Sequence, residues 1–176
     1  MEETSMNEKG FIGYEYRDIM VKRSQEAIYA DYYPQFGWKL ESVLATANPY
    51  YVTMKFKRDR KIRNKPELTR LQRMFESYVR EIDRLERAKV VAASTAAYVI
   101  GVVGTGFMAG SVFSYRAGSL PLTIILAIPA FVGWILPYFC FVRIRDKKTN
   151  EVSPLIEQQY DAIYEVCKKA NLLLNE

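Results

Sequence analysis

Two runs of 26 residues, Val90–Tyr115 and Ala117–Val142, carry no charged side chain and are separated only by Arg116. Nothing else in the chain restricts the fold as much. A helix rises about 1.5 Å per residue, so each run reaches about 39 Å, more than the roughly 30 Å of a bilayer's hydrocarbon core. A soluble protein would have to bury both runs, and only about 120 of the 176 residues remain outside them. A signal sequence has a shorter apolar core and sits at the N-terminus. The expectation is a transmembrane helical hairpin, with spans at 88–115 and 120–142 and a turn at 116–119. Gly118 and Ser119 suit that turn, and Pro121 suits the first turn of the second helix.

Basic residues set its direction. Arg80, Arg84, Arg87 and Lys89 precede the first span, and Arg143, Arg145, Lys147 and Lys148 follow the second, whereas the turn has Arg116 alone. The positive-inside rule then puts both termini in the cytoplasm of a multi-pass protein of the cell membrane. No ionisable side chain lies inside either span, which weighs against a pump or a proton-coupled carrier. The first span is rich in small residues: Ala93, Ala97, Gly101, Thr105 and Ala109 recur every fourth position, with Gly106 and Gly110 on an adjacent stripe. Such residues let helices approach closely in lipid, so these seven are helix-packing candidates, with a pore lining as the alternative. The second span is bulky and carries Pro129, Gly133 and Pro137 as candidate kink sites.

The N-terminal part reads differently. Residues 1–10 are polar and expected to be disordered. A small α+β head is expected over 11–60. Phe11–Val21 is aromatic and β-branched, with Tyr14 and Tyr16 alternating against Glu15 and Arg17, and reads as a strand. Ser24 is placed to cap a short helix, Gln25–Tyr33, ended by Pro34. Trp38, Leu40 and Leu44 are expected on the inner face of a second strand. In a third, Tyr51–Lys57, Val52, Met54 and Phe56 point inward and Thr53, Lys55 and Lys57 outward. The tyrosines and Trp38 either fill this small core or line a pocket, and core filling is the favoured reading.

Tyr14-x-Tyr16, Gly37-Trp38-x-Leu40 and Phe56-Lys57-Arg58, around one helix, resemble the motifs of small bacterial βαββ domains of unknown function. The whole arrangement is similar to uncharacterised bacterial two-span membrane proteins. The resemblance implies a strand-helix-strand-strand head on a membrane hairpin, and supplies no reaction, ligand or catalytic residue.

Lys55, Lys57, Arg58, Arg60, Lys61, Arg63 and Lys65 form a basic run suited to anionic lipid head groups. Aromatic side chains for base stacking are missing beyond Phe56, so nucleic acid is not an expected partner. A basic linker and helix occupy 61–87. From Pro66, the positions Leu68, Leu71, Phe75, Tyr78, Ile82 and Leu85 step by threes and fours, as in a coiled-coil seam. In the tail, 143–176, a separate helix is expected to open at Ser153-Pro154, with Ile156, Tyr160, Ile163, Cys167, Ala170 and Leu174 in the same rhythm. The two seams suggest an antiparallel cytoplasmic stalk; helices lying on the bilayer are the competitor.

The chain has no histidine, the commonest general base and metal ligand, and its two cysteines, Cys140 and Cys167, make no metal or disulfide motif. It has no glycine-rich phosphate loop and no convergent pair of carboxylates. The reading is therefore a non-enzymatic, membrane-anchored interaction or scaffold protein without a cofactor, touching lipid and either a protein partner or further copies of itself. A small homo-oligomeric channel or transport accessory is the alternative.

Overall fold

A computed structural model describes residues 13–175. The tail expected over 1–10 lies outside them. The protein combines a three-stranded sheet with two long helices, α2 (Lys65–Arg116) and α3 (Leu120–Asn175), both long and apolar enough to cross a membrane. Two compact units result: one holds residues up to Tyr78 together with those from Asp161 on, the other Val79–Tyr160.

In the first unit the chain runs through β1 (Tyr14–Lys22), a 3-10 turn (Arg23–Gln25), α1 (Glu26–Tyr32), a second 3-10 turn (Tyr33–Phe36), β2 (Trp38–Ala45) and β3 (Tyr51–Asp59). The strand order is β1-β3-β2, and both pairings are antiparallel. Ser24 falls inside the 3-10 turn, and no side chain caps α1. Gly37 closes the second turn at φ +82°, a left-handed conformation that favours glycine; an added Cβ would lie 2.2 Å from Ile62 Cδ1.

The two-residue period of a strand sorts β3 as expected. Val52, Met54 and Phe56 are buried, whereas Tyr51, Thr53, Lys55 and Lys57 face the other side and are half-buried. β2 departs from expectation. Trp38 is buried, but Leu40 and Leu44 are exposed. The register slips between Leu40 and Ser42, a bulge that breaks the alternation and puts Leu44 opposite the outward Thr53.

Three strands bury too little surface to be stable alone. α1 and its following turn add Tyr29, Tyr33 and Phe36 to the core, and α2 adds Leu68, Leu71 and Phe75. The Phe75 ring lies 5.5 Å from Tyr29, 5.6 Å from Phe36 and 6.1 Å from Tyr33. This part of the expected stalk seam is therefore spent on the aromatic residues of the head. From α3, Ile163, Val166, Cys167 and Ala170 are buried in the same unit, while Tyr160, expected on that seam, is exposed.

One buried polar network crosses this core. Trp38 Nε1–H donates to Gln72 Oε1 at 2.9 Å, and Gln72 Nε2 donates to Glu76 Oε1 at 2.8 Å. The Tyr33 hydroxyl donates to the same oxygen at 2.8 Å, and Arg17 Nη2 lies 3.1 Å from it. Gln72 and Glu76 are one helical turn apart, so they share a face of α2.

The second unit is the helical hairpin. α2 ends in a left-handed Gly118 (φ +81°), where Ser119 N–H bonds Ser114 O at 3.1 Å and Gly118 N–H bonds Tyr115 O at 3.0 Å. These satisfy carbonyls that a helix end leaves open. α3 does not stop after the second apolar run. It continues through 143–153, which holds no glycine or proline, and through Pro154. Ser153, expected as a cap, bonds Thr149 O at 2.8 Å within the helix. A proline there removes one hydrogen bond without ending the helix.

Gln72→Leu keeps volume but deprives Trp38 and Glu76 of a partner. Each buried group left unpaired costs about 1–3 kcal/mol. The head's thermal midpoint, followed by Trp38 fluorescence in a Trp134→Phe background in mild detergent, is expected to fall clearly, and that of the exposed control Arg73→Ala to stay put.

Candidate functional site

Within the hairpin Gly104 lies close against Gly133. A Cβ built on Gly133 would stand 2.7 Å from Gly104 Cα, and one on Gly104 would stand 3.0 Å from Gly133 Cα. Ser111 Oγ donates to Thr123 O at 2.9 Å, and Ala93 and Ala130 are fully buried. On α2 the positions 93, 97, 100, 104, 108 and 111, all buried or half-buried, follow one another by steps of three or four.

The small-residue stripe read from the sequence is only partly this seam. Ala93 is buried, Ala97 is half-buried, and a Cβ on Gly110 would meet Leu126 at 3.6 Å. Thr105, Gly106 and Ala109 are exposed, Gly101 is half-buried, and no atom lies within 4 Å of a Cβ built on Gly101 or Gly106. Every fourth residue advances about 40° past a full turn, so the stripe winds about 160° around the helix between Ala93 and Ala109. Gly104, which makes the contact, was outside the stripe. Stepping by three and four from Ala93 would have found it. The side of the hairpin instead forms a shallow groove of about 440 Å³, where Ala97, Gly101 and Thr105 meet Trp134 and Pro137.

The basic run is divided by the pleat. Arg58 continues the inward series of Val52, Met54 and Phe56 and is only 3% exposed, so it is withdrawn from the lipid-facing set. Its guanidinium lies 4.3 Å from the centre of the Trp38 ring and its Nη2 3.3 Å from Glu15 Oε2; Nε and Nη1 are buried with no hydrogen-bond partner among the described residues. Lys65 Nζ is 2.7 Å from the same Glu15 oxygen. Lys57 pairs with Glu41 at 2.8 Å, and Lys55 approaches Asp18 at 3.9 Å. Arg60, Lys61 and Arg63 lie exposed on the turn between β3 and α2.

The outer face of the sheet was not singled out by its residues. Tyr14, Tyr16 and Met20 stand on it from β1 and Leu44 from β2, with Tyr16 and Met20 each 65% exposed. Lys57 also lies 5.5 Å from the centre of the Tyr14 ring. The alternation around Tyr14 and Tyr16 carried this signal, since it opposes them to the inward Glu15 and Arg17.

Glu76 Oε1 accepts from Tyr33 and Gln72 and faces Arg17, so its contacts are taken up inside the core. Burial pushes the Cys167 thiol up to about 12, which keeps it a thiol rather than a nucleophilic thiolate. Among the described residues, no three His, Cys, Asp or Glu side chains are grouped to hold a metal. No family model, curated protein or solved structure matches the chain.

Two expectations follow. Gly133→Leu should push the hairpin helices apart, read as loss of a compact, faster-migrating form on a detergent gel, whereas Gly106→Leu should leave that form intact. The second concerns acid. The hydrogen bond from Lys65, helped by Arg58, holds the Glu15 carboxyl below its ordinary range. A carboxyl depressed on folding adds stability above its unfolded pKa, and that stability is lost as pH falls through the folded value. Glu15→Gln is therefore expected to lower the melting temperature at neutral pH and to make it less sensitive to acid below about pH 4.5.

Proposed function

We propose that the chain is a non-enzymatic, membrane-anchored interaction protein whose apolar helices hold the head at the cell membrane and whose sheet meets a protein partner. The supporting observation is the uncovered outer face, where Tyr14, Tyr16, Met20 and Leu44 remain exposed. Aromatic and methionine side chains are enriched in protein interfaces, and an exposed apolar cluster rimmed by charge is a common mark of one. Lys39, Glu41 and Asp18 supply such a rim. The basic residues at both ends of the hairpin favour cytoplasmic termini. Lipid contact falls to Arg60 and Lys61 more than to Lys55, Lys57 and Lys65, which lie near carboxylates. In this reading an antiparallel stalk of α2 and α3 falls to positions beyond Phe75, since Leu68, Leu71 and Phe75 serve the head.

A second reading, the homo-oligomer, is favoured by the small residues off the hairpin seam. Gly101, Thr105, Gly106 and Ala109 offer a thin surface on which another membrane helix could pack.

Photocrosslinking residues placed singly at Tyr16 and at Gly106 of the full chain in native membranes separate the two. The interaction reading expects Tyr16 to capture a different protein, and that capture to weaken at least tenfold on Met20→Ser. Capture of a second copy through Gly106, with none at Tyr16, would establish the oligomer instead. Silence at both positions would overturn both readings.

A further inference from the structure

A cleft of about 310 Å³ opens inside the head unit. Asp31, Tyr32 and Gln35 form one wall, and Tyr164, Lys168 and Asn171 of α3 the other. Asn171 Nδ2 donates to Gln35 Oε1 at 2.5 Å, tying the walls together at this pair. Asn171 Oδ1 accepts from Asn175 Nδ2 at 2.8 Å, and the Gln35 amide N–H groups have no hydrogen-bond partner among the described residues. Cys167 also lines the cleft, and its high pKa makes it neutral there.

The charges are the informative feature. On the sheet, Lys57 is matched to Glu41, Lys55 to Asp18 and Arg17 to Glu76. In the cleft, Asp31 and Lys168 are both exposed, on opposite walls, and neither has an ion-pair or hydrogen-bond partner among the described residues. A simple anion entering would be repelled by Asp31 and a simple cation by Lys168. A molecule carrying both charges meets a complement to each. Tyr32 and Tyr164 add aromatic surface to the walls, and the volume lies at the lower end of the range for small-molecule sites.

We infer that this cleft binds a small zwitterion, an α-amino acid with an apolar or aromatic side chain. Its ammonium pairs with Asp31, its carboxylate with Lys168 and the free Gln35 amide N–H, and its side chain lies along the tyrosines. The site is separate from the outer sheet face and from the hairpin, so it stands or falls independently of the interaction reading.

The test uses the full chain in mild detergent. The twenty α-amino acids are screened one by one by the thermal shift of the head, and the tightest binder is titrated calorimetrically beside its N-acetyl and its carboxamide derivatives. The free amino acid is expected to bind at least tenfold more tightly than either derivative. Asp31→Asn should abolish the preference over the N-acetyl form, and Lys168→Gln the preference over the amide, with each variant unchanged in circular dichroism. Binding by none of the twenty, equal binding of all three forms, or preferences that survive both substitutions would overturn the site.

Discussion

The head depends on one face of α2. Leu68, Leu71, Gln72 and Phe75 are buried there, and Glu76 ends the Trp38–Gln72 hydrogen-bond chain. Without them the sheet would expose Trp38 and Phe56, and Tyr33 would lose the acceptor of its hydroxyl. A sheet of three strands with one short helix has too little interior to offset the entropy of ordering it. α2 therefore completes the core and then continues as the first apolar run. A cut before Pro66 would take Leu68, Leu71 and Phe75 out of that core.

The same dependence explains charges that face inward. Glu15, Arg17 and Arg58 occupy inner positions of β1 and β3, where an apolar residue would be the ordinary choice. Each has an opposite charge nearby: Arg17 reaches Glu76 on α2, and Arg58 and Lys65 converge on Glu15. Buried ion pairs add little net stability, because desolvation offsets the attraction, but breaking one leaves a charge uncompensated. The two pairs tie α2 to β1, through Glu76 to Arg17 and through Lys65 to Glu15. Arg58 is the least satisfied of these groups, held mainly by the Trp38 ring and one long contact to Glu15.

Much of this was legible in the residues and some was not. Charge-free length marked the two apolar helices, and Gly118 marked their turn, because both follow from local chemistry. The alternation of Val52, Met54 and Phe56 marked β3, and carrying it two residues further would have placed Arg58 inside. The β2 bulge was not legible, because a one-residue slip depends on pairing with β3 rather than on the composition of β2. The continuity of α3 through Pro154 was missed because serine followed by proline is a common helix start, and only neighbours without a breaker overrule it. The one acid and one lysine of the cleft are far apart in sequence, so only the fold brings Asp31 and Lys168 to one cavity.

The small residues of α2 are a case where period and function must be separated. A strict four-residue repeat cannot serve one partner along a straight helix, because it drifts by about 40° at each step. The hairpin uses the start of the repeat at Ala93 and then leaves it for Gly104, where Gly133 lets the backbones meet. Thr105, Gly106 and Ala109 are left facing outward. Against lipid a small side chain gains less dispersion contact than leucine or isoleucine would, so a run of them is a net loss unless a helix backbone comes close enough to replace those contacts. Exposed bulk occurs on both helices: Val102, Val103 and Phe113 on α2, and Ile124, Ile125, Ile128, Phe131 and Ile135 on α3. Such faces are suited to lipid chains as they stand, and the small residues of α2 are the part of its surface that the second, oligomeric reading would account for.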